Sequence, residues 1–110
     1  MRFTVCGGDL RSVYLVHRLL EDGHSVQCFS LETEEIPDRC RKAALHSALQ
    51  NTQCIILPTP VLKGGMLNAP FGSKVITPEE LAQTLPRKVP IFGGAYPRTF
   101  GGSAPDRMCI

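Results

Sequence analysis

Four short strand-like runs, set apart by stretches of helical period, constrain this chain more than any other feature of it. The runs are Phe3 to Cys6, Ser25 to Phe29, Cys54 to Leu57 and Val89 to Phe92. Phe3 to Cys6 is short and continuous, as strands buried on both faces of a parallel sheet read. After the first run, Val13, Val16, Leu19 and Leu20 recur at helical spacing behind Asp9, whose carboxylate suits an N-cap, and Gly23 suits the stop. The second run leads into an acidic, proline-marked loop from Glu32 to Pro37, after which Asp38 is expected to open a weaker helix through Ala43, Ala44, Leu45 and Leu49. Pro58-Thr59-Pro60 ends the third run, because proline has no N–H to give a central ladder. The stretch Val61 to Ser73, broken by Gly64, Gly65, Pro70 and Gly72, reads as a small hairpin or a functional loop. Thr77-Pro78-Glu79-Glu80 is a capping box ahead of Leu81, Ala82 and Leu85. Strands alternating with helices imply right-handed crossovers and a parallel sheet covered on both faces. The expected fold is therefore an α/β, three-layer flavodoxin-like or half-Rossmann domain with a mainly parallel sheet of four to five strands. That domain spans residues 1–95. Residues 96–110, carrying Pro97, Gly101, Gly102 and Pro105, read as a loosely structured tail or the start of a linker.

Composition excludes several classes of function. At 110 residues the chain holds one core, and its net charge of +2 comes from scattered Lys and Arg that form no basic block for a nucleic acid. No apolar run approaches membrane-spanning length. Five cysteines, an odd number with no C-x-x-C pair, argue against a disulfide framework and a zinc knuckle, and point to a reducing cytoplasm. Cys6, Cys28 and Cys54 fall in apolar strands, where thiols are usually inert. His17, His24 and His46 share no ligand spacing, so no metal is expected.

The polar candidates stand where strands end. Gly7, Gly8, Asp9 and Arg11 sit at the first strand-to-helix turn, a place where open α/β sheets bind ligands. A dinucleotide site would need G-x-G-x-x-G, so that backbone can approach a pyrophosphate at the helix N-terminus. Counting from Gly7, the other two glycine positions hold Asp9 and Ser12; counting from Gly8, they hold Leu10 and Val13. Asp9 moreover places a carboxylate where the phosphate would sit. No cofactor-binding residue is therefore assigned to this chain. A tight turn with an Asp cap is one reading; a polar site in which Asp9 and Arg11 orient a small ligand is another. Thr59 would be presented at the end of the third strand, near Gly8 if the first and third strands are neighbours. Gly93-Gly94, after the fourth run, could allow a close approach or simply turn the chain.

The run Val5-Cys6-Gly7-Gly8-Asp9-Leu10-Arg11, the strand ending Ile56-Leu57-Pro58-Thr59-Pro60 and the later Ile91-Phe92-Gly93-Gly94 resemble the N-terminal domain of the dipicolinate synthase A-subunit family. Leu67-Asn68-Ala69-Pro70 and the start of the helix at Thr77-Pro78-Glu79-Glu80-Leu81 extend the resemblance over roughly residues 3 to 95. It implies the substrate-side half of a two-domain oxidoreductase that converts dihydrodipicolinate to dipicolinate in the mother cell of a spore-forming bacterium. A larger Rossmann domain, outside these residues, would carry NAD(P), so the chain is expected to be a fragment or a truncated product without activity by itself. Under the same implication a small dicarboxylate lies at the domain interface, on Arg11 and the amides around Gly8 and Thr59, with Asp9 beside them. A second subunit or a homo-oligomer is a further expected partner. Two other classes stay open: a small ligand-binding or regulatory flavodoxin-like module, and a subunit-interaction domain.

Overall fold

A computed structural model describes residues 1–58, 61–86, 88–93 and 108–109. In chain order the elements are β1 (Arg2–Cys6), α1 (Leu10–Glu21), β2 (Ser25–Phe29), β3 (Arg41–Lys42), α2 (Leu45–Ala48), β4 (Cys54–Ile56), β5 (Leu62–Lys63), β6 (Met66–Leu67), α3 (Pro78–Thr84), β7 (Ile91–Phe92) and β8 (Met108–Cys109). The main sheet runs β3-β2-β1-β4-β7-β8, and each of its pairings is parallel. This is the parallel α/β sheet expected, widened to six strands by a two-residue piece at each edge.

Residues adjacent along a strand serve opposite layers. Val5 packs with Val13 and Val16 of α1 and with Val26 and Cys28 of β2. Its neighbour Cys6 packs on the other face with Phe29, Leu45, Leu81 and Ile91. α1 thus covers one face, while α2 and α3 cover the other, and the three layers follow from the period of two along each strand. Thr4, fully buried in β1, is satisfied because its hydroxyl donates to Ala48 O at 2.7 Å and stands 2.7 Å from the Thr52 hydroxyl.

Local signals set most boundaries. The Asp9 carboxylate accepts from Arg11 N–H at 2.9 Å and starts α1. Thr77 Oγ1 accepts from Glu80 N–H at 3.1 Å and starts α3, as the capping box predicts. Gly64 (φ 62°) and Gly65 (φ 80°) make the left-handed turn that joins β5 to β6, so Val61 to Ser73 begins as a hairpin. The helix expected from Asp38 to Leu49 is instead an edge strand followed by one helical turn. Cys28 N–H donates to Cys40 O at 2.7 Å and draws the chain alongside β2, and Ala43 and Ala44 stay exposed. Of the run Val89 to Phe92, only Ile91–Phe92 joins the ladder; Pro90 offers its carbonyl to Ile55 N–H at 2.9 Å but has no N–H to return.

Candidate functional site

Strand order reverses between β1, which leads to β2, and β4, which leads to β7, so the connections leave this pair in opposite directions. Such a switch point opens a crevice beyond the carboxyl ends of the strands. Here it is a cleft of about 200 Å³. Gly8, Asp9, Arg11 and Ser12 form one wall, Leu57 and Pro58 another, and Asn68 completes it.

The first turn is shaped by its two glycines. Gly7 takes φ 62° and donates its N–H to Phe29 O at 2.7 Å, while Gly8 takes φ 99°. A methyl group on Gly8 would collide with the Ser12 side chain. Asp9 then serves α1 twice, its carboxylate accepting from Arg11 N–H and its carbonyl from Ser12 N–H at 3.0 Å and Val13 N–H at 3.2 Å. The Arg11 guanidinium folds back onto the same carboxylate, with Nε 3.2 Å from Oδ1 and Nη2 3.1 Å from Oδ2. Those side-chain hydrogen bonds, helped by the Arg11 backbone amide, hold the Asp9 carboxyl below the usual carboxylate range. Arg11 remains 72% exposed, so its cation faces solvent at the mouth of the cleft.

A strap over residues 68–74 crosses the strand ends after β6. It starts on the first turn, where Gly8 N–H donates to Asn68 O at 2.8 Å. It passes β2 where Glu32 N–H donates to Phe71 O at 3.1 Å, and it ends where Ser73 N–H donates to a Glu32 carboxylate oxygen at 2.7 Å. A methyl group on Gly7 would stand 2.7 Å from Asn68 O, so strap and turn are in direct contact. This arrangement does not fit a dinucleotide pyrophosphate. The amides of Gly8, Arg11, Ser12 and Val13 are all engaged within the protein, and Asp9 occupies the positive end of the helix. The cleft volume is also below the roughly 300–1,000 Å³ usual for larger ligands.

Of the residues singled out in the sequence, Gly8, Asp9 and Arg11 come together in one cleft, with β1 and β4 as neighbours. Thr59 and Gly94 lie outside the described residues, and so does the tail apart from the backbone of Met108–Cys109. Ser12 and Asn68 join the cleft without having been expected to. Ser12 was legible as the next small polar residue on the same helix face; Asn68 had no local signal, since the strap places it. Cys6, Cys28, Cys40 and Cys54 are all buried. Burial pushes the Cys6 and Cys28 thiols up to about 12, which keeps them protonated and unreactive. Among the described residues no group of three His, Cys, Asp or Glu side chains is arranged to hold a metal ion. No helix among them is long and apolar enough to cross a membrane.

With this geometry in hand, the chain can be set beside known proteins. The family model for the N-terminal domain of the dipicolinate synthase A subunit matches residues 2–104. The crystal structure of the dipicolinate synthase A chain from Bacillus subtilis superposes with a TM-score of 0.74 at 19% identity, covering 99% of this chain and 39% of that one. The corresponding dipicolinate synthase A chain from Bacillus halodurans gives a TM-score of 0.66 at 15% identity, covering 87% of this chain and 34% of that one. At these identities the two structures share a fold with this chain, which spans well under half of either. A comparison with curated protein sequences finds no match.

Proposed function

Because the chain belongs to the family of dipicolinate synthase A-subunit N-terminal domains, we propose that it is the substrate-side domain of an oxidoreductase that takes dihydrodipicolinate to dipicolinate during sporulation. One observation carries the reading: Arg11, whose guanidinium can hold a carboxylate, lines a small cleft at the β1–β4 switch point together with Gly8 and Asp9. Arg11 is the carboxylate anchor. Its pair with Asp9 is largely exposed and screened by solvent, so a ligand carboxylate competes for the guanidinium at little cost. Asp9 positions Arg11 by holding its fork from one side. Ser12 and Asn68 supply further polar groups, while Leu57 and Pro58 give the apolar wall that a planar ring needs. The nicotinamide belongs to a second domain, and these residues bind and orient the acid. Leu10 and Tyr14, one turn apart and exposed on α1, offer that domain an apolar surface to close on.

The test is an amide-resolved NMR titration of the 110-residue chain with dipicolinate. Saturable shifts at Gly8, Asp9, Arg11 and Ser12 are expected, and Arg11→Ala should weaken binding about tenfold, the worth of one charge-assisted contact. Shifts elsewhere only, or NADPH shifting Gly7 to Ser12, would overturn the assignment.

A further inference from the structure

The strap has a second end. Where it meets β2 and β3 a larger cavity opens, of about 310 Å³, bordered by Ser30, Glu32, Arg41, Lys42, Ser73 and Lys74. Three cations and one carboxylate thus share a small space at strand ends. Glu32 is the single acid of the group: its oxygens accept from Ser73 N–H at 2.7 Å and from the Ser73 hydroxyl at 2.9 and 3.1 Å, and Lys74 and Arg41 attract its carboxylate without forming a salt bridge to it. Arg41 pairs with Asp38 and donates to Thr33 O at 3.4 Å. Lys74 Nζ donates to a neutral acceptor, Ala43 O, at 2.7 Å. Neither Lys42 nor Lys74 forms a salt bridge among the described residues.

Ser30 points into the same chemistry for a separate reason. It is 2% exposed, and its hydroxyl has no hydrogen-bond partner among the described residues although it borders a cavity of cations. Buried hydroxyls are ordinarily satisfied, so an orphan points to a group that completes it. Its backbone is also held at φ 56°, a left-handed conformation that non-glycine residues adopt only under external constraint. The constraint is the strap: a Cβ on Gly72 would stand 2.8 Å from Ser30 Cβ, so the strap lies directly on this residue.

We propose that this cavity is an anion subsite, which takes a carboxylate or phosphate group between Lys42 and Lys74 with the Ser30 hydroxyl donating to it. Lysine ammonium groups act here as point charges that any oxyanion geometry can meet, and low-dielectric walls concentrate their field. The subsite does not depend on the function proposed for the Gly8 cleft, and it would extend the ligand chemistry of the fold along the strand ends. Inorganic phosphate and dipicolinate, titrated separately into the 110-residue chain at constant ionic strength, test it with amide-resolved NMR. Saturable shifts at Ser30, Lys42 and Lys74 are expected with at least one of the two anions. The double variant Lys42→Ala/Lys74→Ala should weaken that binding at least about tenfold, and Ser30→Ala about threefold. Response to phosphate alone marks a phosphate-bearing ligand. Response to dipicolinate here, with Gly8 and Arg11 silent, supports the subsite and moves the substrate away from the first cleft. Dipicolinate at the first cleft with neither anion at Ser30, or undiminished affinity in the double variant, overturns the subsite and leaves the first assignment standing.

Discussion

Replacing Gly7 with alanine measures how firmly the strap is seated, provided that Gly64→Ala is measured beside it. Both glycines have φ 62°, so both substitutions incur the same left-handed strain, about 1–2 kcal/mol, and the same stiffening of the unfolded chain. Their surroundings differ. A Cβ at Gly64 meets nothing within 4 Å, whereas at Gly7 it stands 2.7 Å from Asn68 O and 3.3 Å from Ala69 Cβ. A carbon–oxygen contact relaxes at about 3.3 Å or beyond, so Asn68 O must retreat by roughly 0.6 Å. The Gly8 N–H bond to that oxygen, now 2.8 Å, would lengthen past the hydrogen-bonding range of about 3.2 Å. Losing it costs about 0.5–1.5 kcal/mol, and leaving the buried Gly8 amide unpaired raises the total toward 3 kcal/mol. Gly7→Ala should therefore destabilise by about 1–3 kcal/mol more than Gly64→Ala in urea unfolding followed by circular dichroism. Hydrogen exchange at the Gly8 amide should accelerate in the first variant alone. Equal losses within about 0.5 kcal/mol, with Gly8 exchange unchanged, would refute the claim that strap and turn bear on each other.

Two further outcomes follow from the same geometry. Cys6 and Cys28, with thiols pushed up to about 12 by burial, carry thiolate at roughly one part in ten thousand near pH 8, so iodoacetamide should label them only after unfolding; site-resolved mass spectrometry finding prompt native labelling would contradict their burial. The Glu32 carboxyl is held below its ordinary 4.5, first by the Ser73 backbone amide and then by the Ser73 hydroxyl, so its contribution to stability is complete above pH 4.5 and fades as pH falls through the lower folded value. The stability gap between wild type and Glu32→Gln should accordingly be widest near neutrality and close in acid, and a gap that does not vary with pH in urea titrations would show that the bond does not need the ionised form.

What the sequence made legible is what short-range physics decides. Val5 and Cys6 sit in a continuous apolar run, Val13 and Val16 repeat one turn apart, and Thr77 caps its own helix; each signal lies within a few residues of its effect. Gly8, Asp9 and Arg11 were legible for the same reason, because they share one turn. Arg41–Lys42 was not, since its strand character comes from pairing with Cys28 and Phe29, which lie more than ten residues earlier in the chain. Two alanines and two leucines at near-helical spacing are weak evidence against such pairing, and only Leu45–Ala48 coils. The cluster of Ser30, Arg41, Lys42 and Lys74 was invisible on similar grounds. Its members come from three separate segments, and nothing local to Ser30 announces a left-handed backbone.

The strap sets the shape of the switch point. In a dinucleotide-binding turn the backbone amides are left open for phosphate. Here a segment of the same chain reaches the turn first: Asn68 O takes the Gly8 amide, and Asp9 takes the helix end. The crevice is thereby divided. One part keeps a small cleft with an exposed cation, Arg11, and the other keeps a cationic cavity around an unsatisfied hydroxyl. The two differ in size, at about 200 and 310 Å³. One segment borders both, contacting Gly7 through Asn68 and Ser30 through Gly72.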